Sequence, residues 1–144
     1  MNDAIVELIV AHIVSLLEDA LVIPVYRSRD AALAESQLPS VVVTPLLDDP
    51  SENNGSICWM NWNLSLAVDI LTGAGKDSAA HPYRAAVYGA VMADRDMSAV
   101  AGVIDVTPAA VEYQMKNSVA DVAFVRCSFS IRYRTKHDDI TVAP

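Results

Sequence analysis

Apolar residues recur over the first twenty positions at intervals of three and four. Ile5, Leu8, Ile9, Ile13, Leu16, Leu17 and Ala20 share one side of a helical wheel, so the spacing predicts an amphipathic helix over residues 3–21. Val6, Val10 and Val14 widen the apolar stripe, which predicts a helix buried on two sides. Asn2 or Asp3 can cap its start, Asp3 and Glu7 suit its positive end, and Pro24 stops it. The period then changes from near four to two. From Ile57 to Leu71, Cys58, Met60, Trp62, Leu64, Leu66, Val68 and Ile70 fall on one face, and Asn61, Asn63, Ser65 and Asp69 dominate the other. From Val119 to Thr135, Ala123, Val125, Cys127, Phe129, Ile131 and Tyr133 alternate with Arg126, Ser128, Ser130, Arg132 and Arg134. Strict alternation marks a strand with one face on a core.

The remaining segments are shorter. Val25–Arg27 reads as an extended piece, and Asp30–Glu35 as a small helical patch. Ser40–Thr44 is a β-branched strand, and Pro45 confines it to an edge or ends its regular pairing. Asp48–Ser56 is rich in turn residues and predicts a hairpin tip, whose arm is the long strand after it. Residues 72–77 form a loop, and a second helix runs from about Pro82 to Arg95 with Tyr83, Val87, Ala90 and Val91 inward. Val103–Lys116 contains a strand broken near Pro108, and Asn117-Ser118 marks a turn. The order helix, strands, helix, strands predicts an α+β fold. Its sheet is antiparallel or mixed, with two helices on one face and a long β-hairpin. All 144 residues are expected to form one domain, with 136–144 as a flexible tail.

Composition narrows what such a domain does. Hydrophobic residues make up 53% of the chain and charged residues only 19%, so little charge is available to cover the surface. Another subunit is one way to cover the surplus. The net charge is −8, from ten bases against eighteen acids, which argues against gripping nucleic acid. The imbalance is uneven: residues 1–56 hold nine acids and two bases, whereas residues 101–144 hold five of each. No apolar run is long enough to span a membrane, and Asp3 and Glu7 do not fit a signal peptide, so a cytosolic setting is expected.

Candidate chemistry is sparse. Cys58 and Cys127 read as buried free thiols. His12 sits in the apolar stripe as a core or interface residue, His81 at a helix start, and His137 in the tail. Gly73–Ser78 lacks the spacing of a phosphate loop and carries Asp77 where Ser or Thr belongs. Asp48, Asp49 and Glu52 suit a solvated acidic loop better than a cation site. No catalytic residues, cofactor or metal are expected. Assembly leaves more trace. Trp59 falls on the otherwise polar strand face, either as an interface anchor or shielded by a neighbouring strand. Arg126, Arg132 and Arg134 form a row that can pair with Asp69 within one sheet or with the N-terminal acids of another copy, or simply face solvent. These five residues are the candidate oligomer contacts. A charge-asymmetric subunit suits head-to-tail contacts.

The whole pattern resembles the tail terminator proteins of long-tailed bacteriophages, the minor tail protein U family. The resemblance rests on the N-terminal helix, the segment Val25-Tyr26-Arg27-Ser28-Arg29, the run Leu38-Pro39-Ser40-Val41-Val42-Val43, the strand Trp62–Ile70, and the closing Phe129-Ser130-Ile131-Arg132-Tyr133-Arg134-Thr135. It spans residues 3–135, and none of its motifs is a catalytic signature. It implies a non-enzymatic virion protein, assembled in a bacterial host cytoplasm and placed in the tail. There it forms a ring, commonly of six copies, that ends tail-tube polymerisation. The implied partners are the tail tube protein, head–tail connector proteins and further copies of itself, with DNA only as passing cargo. An acidic lining that does not hold phosphates suits that passage. Two other readings stand beside it: a head–tail connector or neck protein, and a small ligand-binding or enzymatic α+β domain with a polar-lined pocket.

Overall fold

A computed structural model describes residues 3–28, 37–51, 59–73, 77–114 and 122–144. Helix α1 (Ile5–Ala20) is followed by strands β1 (Val25–Arg27), β2 (Ser40–Pro50) and β3 (Trp59–Gly73). After a 3₁₀ turn at Asp77–Ala80 come helix α2 (His81–Ala93) and strands β4 (Val103–Gln114) and β5 (Val122–Lys136). The five strands form one mixed sheet in the order β1-β2-β3-β5-β4. Strand β1 runs parallel to β2, and the other pairs are antiparallel. This is the expected α+β architecture, with β2 and β3 as a long antiparallel pair.

Alternation places the core. Leu64, Leu66, Val68 and Ile70 of β3 stand opposite Ile131, Phe129, Cys127 and Val125 of β5. Val41 and Val43 of β2 continue the layer. On this apolar face lie Ile5, Ile9, Val10, Ile13 and Leu17 of α1 with Val87 and Val91 of α2. Each buried aliphatic side chain contributes roughly 1.5–3 kcal/mol, so these rows are the main source of stability. The widened stripe expected on α1 is found, with Val10 buried and Val6 and Val14 packed against the core, but Leu8 and Ala20 are exposed.

Four expectations are corrected. Asp3 does not cap α1, and Asn2 lies outside the described residues. The N-cap is Ala4, which makes no side-chain cap bond, and the Ile5 N–H donates instead to the carbonyl of Ile140 at 3.1 Å. The tail that provides it, expected to be polar and free of the domain, folds back on it. Lys136 N–H donates to Val142 O at 2.8 Å, and Ala143 packs on the core. Strand β2 runs beyond Thr44 to Pro50, so Asp48 and Asp49 belong to a strand and not to the hairpin tip, although regular pairing does shift after Pro45 as expected. Proline is tolerated because β1 covers only Val41–Val43, leaving the later part of β2 unpaired on its outer side among the described residues. Finally, β4 passes through Pro108 with irregularities between Val103 and Asp105 and between Pro108 and Val111, rather than breaking there. The expected helical patch at 30–35, Glu52, Cys58 and the turn at 117–118 lie outside the described residues.

The irregularity between Pro45 and Leu47 has a larger effect. A strand's side-chain period is two, so one extra residue exchanges its faces. Before it, Val43 and Pro45 stand opposite the core residues Val68 and Leu66. After it, Leu47 pairs with polar Ser65 while Asp48 pairs with core Leu64. Leu47 is thereby turned outward, 56% exposed, and Asp48 is turned inward.

Candidate functional site

Both helices cover the same side of the sheet, and no described helix lies on the other side, the open face. Along β5 that open face presents Arg126, Ser128, Ser130, Arg132 and Arg134. Opposite them on β3 stand Asp69, Ala67, Ser65, Asn63 and Asn61. Strand β4 adds Glu112, Thr107 and Asp105 across from Arg126, Ser130 and Arg132. The sequence placed four of the five candidate contacts on this face, together with Trp59 at its end, and the structure brings all five onto it.

The arginines divide by partner. Arg126 makes a bidentate pair with Asp69, at 2.8 Å from Nε to Oδ1 and 3.0 Å from Nη2 to Oδ2. The carboxylate of Asp69, only 14% exposed, holds the guanidinium pKa above its ordinary value. Arg132 makes a second bidentate pair, with Asp105, which pulls the Asp105 carboxyl below the usual carboxylate range. Asp105 was not singled out from sequence; its signal was its register opposite Arg132, which a single strand pattern does not reveal. Arg134 differs. Its Nε donates to Asn61 Oδ1 at 2.9 Å, and its guanidinium lies 5.3 Å from the centre of the Trp59 ring. It has no carboxylate partner among the described residues. Trp59 is half-exposed on the polar face beneath it.

At this end of the face lies a shallow pocket of about 210 Å³ between Ser51, Asn61, Trp62, Asn63, Ile104, Arg132 and Arg134. On the core side of the same end, Trp62 stacks on Tyr133 with ring centres 6.3 Å apart, and its indole N–H donates to Thr135 Oγ1 at 3.0 Å. The Tyr133 hydroxyl donates to Asp48 Oδ2 at 2.5 Å, while Asp48 Oδ1 is buried without a partner among the described residues. Burial pushes the Asp48 carboxyl up, and the nearby Asp49 adds to this, against the opposing pull of the Tyr133 hydrogen bond.

The other candidates have plain structural roles. His12 Nε2 donates to Asp94 Oδ2 at 2.6 Å and ties α1 to the end of α2. His81 is exposed and edge-on to Tyr113. Cys127 is buried, and burial pushes its thiol up to about 11. Asp48 and Asp49 face opposite sides of the sheet. Among the described residues no three His, Cys, Asp or Glu side chains gather in a metal-binding group. No helix among them is long and apolar enough to cross a membrane.

The fold is similar to one found in a solved virus-like particle. A chain of the virion of the native gene transfer agent (GTA) particle superposes with a TM-score of 0.50, over 91% of this chain and 92% of that one. Sequence identity is 14%, so the likeness is one of fold. No protein-family model matches the sequence, and no curated protein matches it.

Proposed function

We propose that the chain is a structural virion protein, and that it acts as a tail terminator: a ring on the end of a tail tube that stops polymerisation and forms the joint to the head. The observation that carries the reading is the near end-to-end fold likeness to a chain of a virion particle. Three features support it. The resemblance of residues 3–135 to the tail terminators points to the same class. The open sheet face offers a surface for contacts between subunits. The net charge of −8 suits a ring through which DNA passes without being held. On this reading the protein is no enzyme, works in the virion tail after assembly in a bacterial host cytoplasm, and touches the tube protein, the connector proteins and five further copies of itself.

Electron microscopy of particles from a strain lacking the gene tests the proposal. A terminator predicts tails of uncontrolled length without heads. Tails of normal length that fail to join heads would instead make it a connector, and intact particles would refute a structural role. Light scattering on the purified protein should also find a discrete assembly near six subunits.

A further inference from the structure

We infer that the Arg134 pocket receives the C-terminal end of α1 from the next copy of this chain, in a head-to-tail contact. The inference rests on the ring reading above and names the two surfaces that would build the ring.

The pocket is prepared for a carboxylate. Asn61 holds the Nε edge of Arg134 and the Trp59 ring lies against its flat face, so the guanidinium is fixed before anything binds. Its Nη groups carry no partner among the described residues, and they are the donors that grip a carboxylate. The neighbouring Arg132 is already neutralised by Asp105. Ile104, 36% exposed, gives the pocket an apolar wall.

The complementary surface is the end of α1. Glu18 and Asp19 lie exposed in its last turn, where no basic residue accompanies them. Carbonyl groups make that end negative, so acids there are disfavoured within one molecule. Neither acid has an ion-pair partner among the described residues. Beside them Val22 is fully exposed, the most exposed large apolar residue described. Two acids without an ion-pair partner among the described residues, next to a bare valine, match a pocket whose arginine has no carboxylate partner among them and whose wall is an isoleucine.

The two surfaces sit at opposite ends of the molecule. The start of α1 lies near the Arg134 backbone, since the Ile5 side chain packs beside Gly102 and the Arg134 N–H donates to Gly102 O. The helix then runs about 24 Å away at 1.5 Å per residue. Its far end leads into Pro24, whose carbonyl accepts from Val41 N–H; Val41 neighbours Ile70, and Ile70 neighbours Val125. Along β5, Val125 and Arg134 are about 30 Å apart. One molecule therefore cannot join these surfaces, and a contact between them is heterologous, the kind that closes rings.

Charge exchange with the full chain tests the contact, with assembly followed by sedimentation across concentration and folding by circular dichroism. Arg134→Glu, and separately Glu18→Lys with Asp19→Lys, should each weaken association by about tenfold or more while leaving the spectrum unchanged. Combining the three substitutions should restore association to within about threefold of the wild type, because the pair is re-formed with its signs exchanged. Variants that assemble like the wild type, or a combination that fails to recover while folded, would overturn the contact and leave the ring reading standing. A wild type that stays monomeric up to millimolar concentration would overturn both.

Discussion

Replacing glycine with alanine should have opposite signs at two places in this chain. Gly102 precedes β4 with φ +93°, a conformation that costs an L-residue about 1–3 kcal/mol. An added Cβ would stand 2.6 Å from the backbone carbonyl of Arg134, and 3.3 Å from Ala143 Cβ and Ile5 Cδ1. The Ile5 side chain can give way, whereas Ala143 Cβ moves only with its backbone. The carbonyl cannot do so easily, because β5 is paired on both sides at this end. The bond from Arg134 N–H to Gly102 O, 2.8 Å long, would also be stretched, at a cost of about 1 kcal/mol. Together these predict a loss of about 3 kcal/mol for Gly102→Ala, or roughly 10 °C in Tm for a domain of this size. Gly89 is the contrast. It is exposed within α2, and an added Cβ meets nothing within 4 Å. Gly89→Ala should therefore stabilise by about 0.5–1 kcal/mol, the ordinary helical gain. Urea unfolding followed by tryptophan fluorescence, at one fixed protein concentration, measures both. The reasoning is refuted if Gly102→Ala lies within 0.5 kcal/mol of the wild type, or if Gly89→Ala loses stability. Gly102 O also accepts from the Arg134 N–H, so its variant should assemble less well even at temperatures where it remains folded.

Four further outcomes are expected. Asp69→Ala should cost about 2 kcal/mol by stranding the half-buried guanidinium of Arg126, and the double variant with Arg126→Ala should lose less than the sum of the two, as a double-mutant cycle would show. The raised Asp48 carboxyl favours the neutral form in the folded state, so it weakens the fold as pH rises through its folded pKa; Asp48→Asn should gain stability relative to wild type between pH 4 and pH 8 in urea titrations, and a constant difference would refute the assignment. The Asp105 carboxyl, held low by Arg132, has the opposite sense. Its contribution is present above the ordinary carboxylate range and lost as pH falls through the lowered pKa, so Asp105→Asn should narrow the wild type's loss of stability in acid. Cys127, buried with its thiol pushed up to about 11, should resist alkylation at pH 8 until denaturant is added, as peptide mass analysis would show.

How much of this was legible depends on the range of the interaction concerned. The two helices and the long strands β3 and β5 were readable because periodicity is a local consequence of burial on one face. So was the placement of Trp59, Asp69, Arg126, Arg132 and Arg134 on the polar side, and so was Asp69 as a partner for the arginine row. Alternation states which face a residue takes but not which strand lies beside it. That is why Asp105 as the partner of Arg132, and β5 sitting between β3 and β4, came only from the tertiary structure. The bulge after Pro45 was hidden for a related reason: Pro45 followed by Leu46-Leu47 broke the pattern, but which side the chain resumed on depended on pairing with β3. The tail looked frayed because its residues are polar. Its carbonyl of Ile140 nevertheless completes the first turn of α1, a backbone contact that no side chain announces. The sequence by itself thus determined the elements and their faces, which one residue's neighbours along the chain are enough to encode. Only the tertiary structure decided register, strand order and the isolation of Arg134 from every described carboxylate, because those depend on residues distant in sequence meeting in space.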